Sequence, residues 1–266
     1  MSFIFYPFIF ILGLFIGSFL NCVIYRLEKN QSFVKGRSYC PHCRHNLSWQ
    51  DLVPILSFLL LKGKCRYCSE KISIQYPLVE ISTALLFLMV FNSQFTVFNE
   101  FLVFSFQEII SFSYLLACAS LLLVIFVFDL KHFIIPDRII FSLIAIVFLY
   151  RIFTFSSFGG FIAPILSAFG ASAFFLVMFL ISDGKWMGFG DVKLAFFMGL
   201  FLGWPNILVG LFFAFAIGAI IGIGLILAEK KTLKSKIPFG PFLIAGVFTA
   251  FFWGGGIINW YLNLIT

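Results

Sequence analysis

Apolar stretches recur along almost the whole chain, roughly over residues 3–25, 78–98, 109–128, 139–155, 161–182, 192–204, 206–228 and 239–261. A bilayer core of about 30 Å is crossed by about 20 apolar residues in a helix, which satisfies its own backbone polar groups. The pattern predicts an all-α polytopic membrane protein with about eight transmembrane helices. The alternating ten-residue segments of a transmembrane barrel do not occur. With 62% hydrophobic and only 11% charged residues, the chain has too few charges to cover a soluble domain. Its 41 phenylalanines fill the spans with bulky rings, and 21 glycines leave room for close helix approach. The 192–204 stretch is short, and only Trp204-Pro205-Asn206 separates it from the next. The first run starts at Ser2 with no basic segment before it and no small-residue cleavage site, so it is expected to stay as a helix.

The basic residues report topology. With the segment from Arg26 to Lys71 placed in the cytoplasm and sides alternating from there, nine Lys or Arg fall in that segment. Two more fall near 131–138, two near 185–193 and four at 230–236, all on the same side, and the other side receives only Arg151. This asymmetry is what the positive-inside rule requires, and it places both termini outside the cytoplasm. The net charge of +7 is thus dispersed between spans rather than gathered in a stripe, so lipid is the expected surrounding and nucleic acid is not an expected partner.

Three regions follow: a first transmembrane helix (1–25), a cytoplasmic module (26–77) and a transmembrane core (78–266). The module carries Cys40-Pro41-His42-Cys43 and Cys65-Arg66-Tyr67-Cys68. Two thiolates spaced two residues apart grip one ion from a tight turn, so Cys40, Cys43, Cys65 and Cys68 supply the four sulfurs of a closed structural zinc site. About fifty residues bury too little apolar surface to fold unaided, and Zn2+ would contribute the missing free energy. A reducing compartment disfavours the alternative of two disulfides. His42 and His45 are spare candidate ligands, and each reads better as a surface residue of its knuckle. Cys22 and Cys118 lie in apolar runs and read as small buried hydrophobes.

Carboxylates at membrane helix ends are costly unless they act or face water. Asp129 closes one apolar run in Phe128-Asp129-Leu130-Lys131, and Asp191 follows Gly188-Phe189-Gly190 at the start of another. Both fall at the cytoplasmic boundary, where two facing carboxyls could share one proton and activate water, as in aspartic proteases. Asp191 would also suit a helix N-terminus simply as a favourable charge. Asp137, Asp183, Asp51 and Glu80 lie on the same side, and position alone does not choose among them.

The motifs do choose. Asp129–Asp137, as DLKHFIIPD, with GFGDVKLA at 188–195, resembles the paired aspartate motifs of GxGD membrane proteases. Gly17-Ser18-Phe19-Leu20-Asn21, the double CxxC module, Tyr76-Pro77-Leu78-Val79-Glu80 and Pro238-Phe239-Gly240-Pro241 are similar, in the same order, to type IV prepilin peptidases. The resemblance implies Asp129 and Asp191 as the catalytic pair and the four cysteines as the tetrad. It implies a bacterial inner-membrane enzyme that removes basic leaders from prepilins or pseudopilins, whose apolar helix follows the cut, after a glycine. It further implies N-methylation of the new terminus with S-adenosylmethionine, for which no glycine-rich binding turn stands out. Preflagellin peptidases lack the cysteine module, and the Pro-Ala-Leu motif of the presenilin-like branch does not occur. A transporter using the two aspartates for ions, or an enzyme confined to methyl transfer, are the competing readings.

Overall fold

The computed structural model describes residues 2–32, 36–95, 105–154, 158–228 and 237–265, and the chain divides into two compact units, 1–124 and 125–266. Every predicted apolar stretch forms a helix. In chain order these are α1 (Ser2–Glu28), α3 (Gln75–Phe95), α4 (Phe106–His132), α5 (Asp137–Phe153), α6 (Phe158–Ile181), α7 (Phe189–Leu202), α8 (Asn206–Leu227) and α9 (Gly240–Ile265); a short α2 (Leu56–Leu60) lies between the first two. Residues 96–98 of the second expected span, residue 155 of the fourth, Lys35 and the lysines of 230–236 lie outside the described residues.

Length and composition leave the expected count of eight spans unconfirmed. Among the described residues, six helices are long and apolar enough to cross a bilayer, namely α1, α3, α4, α6, α8 and α9. With 17 and 14 residues, α5 and α7 fall short. At about 1.5 Å per residue α7 is only about 21 Å long. Its surroundings are protein: it packs against α5, α6, α8 and α9, and Leu194, Ala195, Phe197 and Met198 are fully buried. A helix walled by other helices has no need to match the thickness of the lipid.

The second unit is pinned at both ends of α7. At its end, the Arg151 guanidinium of α5 donates to the Phe201 carbonyl at 2.8 Å, a cation where the helix dipole is negative. At its start, Lys193 pairs with Asp137 of α5 at 2.6 Å and lies 5.2 Å from the ring centres of Phe141 and Phe189. The rings of Phe175 (α6), Phe215 (α8) and Phe239 contact one another and fix the entry to α9.

In the first unit, α1 and α3 pack closely. A methyl group on Gly17 would sit 2.6 Å from the Cα of Glu80, and one on Gly13 2.5 Å from that of Ala84, so glycines four apart form a small-residue stripe. Ile9, Phe87 and Phe91 extend the contact, with Tyr6 edge-on to Phe91. Where α1 ends, the buried Arg26 side chain donates to the carbonyls of Ser32, Gly36 and Arg37 and holds the chain as it enters the module.

This packing makes Gly17→Val costly, because the branched side chain meets backbone that cannot yield. A loss of about 1–3 kcal/mol is expected, read as a lower unfolding midpoint in detergent. Gly222→Val, where an added carbon meets nothing within 4 Å, should cost much less.

Candidate active site

Three helix ends meet in the second unit: the last turn of α4 carries Asp129, the first turn of α7 carries Asp191, and α9 begins at Gly240. Asp191 folds back over its own helix start, its Oδ2 accepting the Gly188 N–H at 3.2 Å. Asp129 accepts the N–H of Gly240. A carbon added to Gly240 would lie 2.5 Å from Asp129 Oδ2, so this approach of carboxyl to backbone requires glycine. Ile135, from the loop after α4, lies against both Gly190 and Gly240. Asp129 is close enough to Asp191 to act on it electrostatically.

Burial separates this pair from its competitors. Asp129 is 5% exposed and Asp191 7%. Asp137 is exposed and paired with Lys193, and Asp183 is exposed in a turn after α6 with φ of +48°. Glu80 is buried but belongs to the first unit, where it accepts the Ile55 N–H at 2.8 Å and ties the module to α3. Among the described carboxylates of the second unit, only Asp129 and Asp191 are buried. Two such groups in an apolar setting cannot both carry charge cheaply, so the arrangement can keep a proton donor beside a proton acceptor. Lys193 does not offset Asp191 by an ion pair, since its ammonium is engaged by Asp137.

The four cysteines of the module meet. One sulfur from each of Cys40, Cys43, Cys65 and Cys68 lies within 4.8 Å of all the others, and the Cys40 and Cys68 sulfurs are 3.9 Å apart. Tetrahedral bonds of about 2.3 Å to zinc place sulfurs about 3.8 Å apart, so the donor set fits that ion. The two knuckles repeat each other. In the first, Cys40 N–H donates to His45, Arg44 N–H to Cys40, and Tyr39 bridges Asn46. In the second, Cys65 N–H donates to Glu70, Ser69 N–H to Cys65, and Lys64 bridges Lys71. Arg44 and Ser69, each four residues after the first cysteine of its pair, take the left-handed conformation that closes the turn.

The histidines stay outside this cluster. His45 stacks on Tyr67 of the other knuckle with ring centres 3.7 Å apart. Asp51, just after the first knuckle, receives Ser48, Arg66 at 2.7 Å and Tyr67 at 3.1 Å. Burial acts to push its carboxyl up, but the hydrogen bonds from Ser48, Arg66 and Tyr67 outweigh it and hold the group below the usual carboxylate range. Cys118 is buried and Cys22 half-buried, both apart from the metal cluster.

Sequence reasoning singles out neither Ile135 nor the pairing of Lys193. Gly240 stands out only through the likeness of its Pro-Phe-Gly-Pro motif, because its contact with Asp129 joins segments far apart in the chain.

Residues 11–94 match the model of the bacterial peptidase A24 N-terminal domain, and residues 116–223 match that of the type IV leader peptidase family. A prepilin leader peptidase/N-methyltransferase of Aeromonas hydrophila is 32% identical, over 99% of this chain and 96% of its own length. Proteins of the same description from Bacillus subtilis (strain 168) and Legionella pneumophila are 32% and 33% identical, over 96% and 95% of this chain. No solved structure matches. Matched along its whole length by such relatives, and with both family models in chain order, this chain belongs to the type IV leader peptidase family.

Proposed function

We propose that the chain is an inner-membrane aspartyl endopeptidase that removes the basic leader of prepilins or pseudopilins after a glycine, and that it then methylates the new terminus. The observation that carries the proteolytic half is the buried pair Asp129 and Asp191 at converging helix ends. The printed description of the relatives supports the same activity and is the sole support for the methyl transfer. The distribution of basic residues between spans supports a site at the cytoplasmic boundary, with both termini on the opposite side.

The chemistry needs one ionised and one protonated carboxyl. The ionised one takes a proton from water as its oxygen attacks the carbonyl carbon of the scissile bond, and the protonated one donates to the carbonyl oxygen. Collapse breaks the C–N bond, passes a proton to the leaving nitrogen and yields a carboxylate on the leader and an amine on the product. The Gly188 and Gly240 N–H groups hold the two carboxyls in place. A glycine at the cut favours local unwinding of an apolar substrate helix, by about 1 kcal/mol relative to alanine.

In the module (26–77), Cys40, Cys43, Cys65 and Cys68 would hold structural Zn2+, which crosslinks the two knuckles and leaves no open position for water. The transmembrane core (78–266) carries the peptidase. S-adenosylmethionine is the methyl donor implied by the relatives' description. The apolar cavity between α4, α8 and α9 does not fit it, since no polar side chain lines that space to receive its amino-acid end or adenine.

Purified protein incubated with a prepilin-like peptide and followed by mass tests the peptidase. Asp129→Asn and Asp191→Asn should each slow leader release by about 10³-fold or more, with insertion in the membrane unchanged. Gly240→Ala, which pushes a methyl group into Asp129, should reduce turnover by about 10²-fold. Near-normal cleavage by either asparagine variant would remove that residue from the mechanism. Elemental analysis should find about one zinc per chain, released by Cys→Ser at any of the four cysteines, with loss of the module's fold ahead of the peptidase core. Metal-free protein with reduced thiols would contradict the zinc site.

A further inference from the structure

Between its two cysteine knuckles the module carries ten consecutive uncharged residues, Leu52 to Leu61, with Asp51 before them and Lys62 after. They run from the end of a single helical turn (Trp49–Leu52), through a bend, into α2. On the inner side Pro54 is buried and the Phe58 ring closes on Gly63. On the outer side Trp49, Leu52, Leu56, Leu59 and Leu60 are exposed, the last two at 63% and 81%. Five large apolar side chains within twelve residues gain nothing from contact with water, and such a concentration marks an interaction surface.

Glu80 sets the depth of this segment. Its carboxylate accepts the Ile55 N–H at 2.8 Å, just before α2, and Ile55 holds a φ of +59° that β-branched residues rarely adopt. Glu80 lies five residues into α3, about 7.5 Å along a helix apolar and long enough to cross a bilayer. Leu78 and Ile81, on either side of Glu80 in the chain, are exposed, as lipid-facing residues of a span are. From this placement we propose that residues 49–61 dip into the bilayer boundary beside α3, with Trp49 and the outer leucines of α2 among the first acyl carbons. Amphipathic segments settle about 5–10 Å into that layer, and tryptophan favours it. Lys62 and Lys64, exposed and without an ion pair among the described residues, follow α2 directly and can reach lipid phosphates. A prepilin helix would suit the leucines but not these lysines, since its own leader is basic. Lys64 leads straight into Cys65, so the same contact would hold the second knuckle against the membrane surface.

The test reads lipid contact without any turnover, so its outcome is separate from the peptidase reading. A benzophenone amino acid replaces Leu59 or Leu60 in the full chain, held in nanodiscs of phosphatidylethanolamine and phosphatidylglycerol, and adducts formed on illumination are read by intact mass. Two label positions are used so that a folding defect at one leaves the other. Leu85, exposed on α3, is the lipid-facing reference, and His42, exposed on the first knuckle, the water-facing one. Lipid adducts at 59 and 60 should approach those at 85 and exceed those at 42 by at least about tenfold. Lys62→Gln with Lys64→Gln should lower the phosphatidylglycerol share of adducts at 59 by at least about twofold, and an unchanged share would overturn the headgroup contact. Lipid adducts at 85 with no more at 59 and 60 than at 42 would overturn the proposal. Adducts at 59 and 60 formed with an added prepilin-like peptide in place of lipid would also overturn it, and would make this face a seat for substrate.

Discussion

Two carboxyls buried among apolar helices repel each other and lack the water that would screen them, so the fold must supply what solvent does not. Here backbone supplies it. Asp191 draws on the N–H of Gly188 at the start of its own helix, and Asp129 on that of Gly240 at the start of another. Helix starts present unpaired N–H groups and the positive end of the dipole, which makes them suited to hold an acidic group in a dry site. The arrangement works only if the backbone comes close, and glycine at position 240 is what permits it. The remaining anchors of the second unit, Lys193 with Asp137 and Arg151 with Phe201, hold the helix that carries Asp191 at both ends. The aromatic contacts of Phe239 hold the entry to α9, so the geometry of the pair follows from the packing around it.

The cysteine module meets a different shortage. Its two knuckles are short, largely exposed and nearly identical in backbone, and neither buries enough apolar surface to stand alone. Four converging sulfurs, the stack of His45 on Tyr67, and Asp51 gripping Arg66 and Tyr67 join them. Glu80 and Arg26 then fasten the module's chain to α3 and α1 through backbone groups. These contacts place the module as a folded extension of the helix pair α1 and α3.

What the sequence discloses, and where it stops, follows from the range of the interactions. Long apolar runs specify helices locally, so all eight were legible, as were the CxxC pairs, whose spacing fits a metal by itself. The number of spans is not, because α7 is short yet enclosed by α5, α6, α8 and α9, and enclosure is a tertiary property. Charge position left Asp129 and Asp191 level with Asp137 and Asp183. Burial separates them, since Asp137 meets Lys193 at the surface while the pair is enclosed. The place of Gly240 depends on a contact between distant segments, which no local pattern encodes.

In the proposed mechanism Asp129 and Asp191 act as one unit, each useless to the reaction without the other. Single-turnover cleavage of a prepilin-like peptide by Asp129→Asn, Asp191→Asn and the double variant measures that directly. If the pair acts together, the double variant should be no slower than the slower single, because the first substitution already removes what the second would. If the two losses multiplied, the residues would be contributing independently, and the shared-proton account would be contradicted.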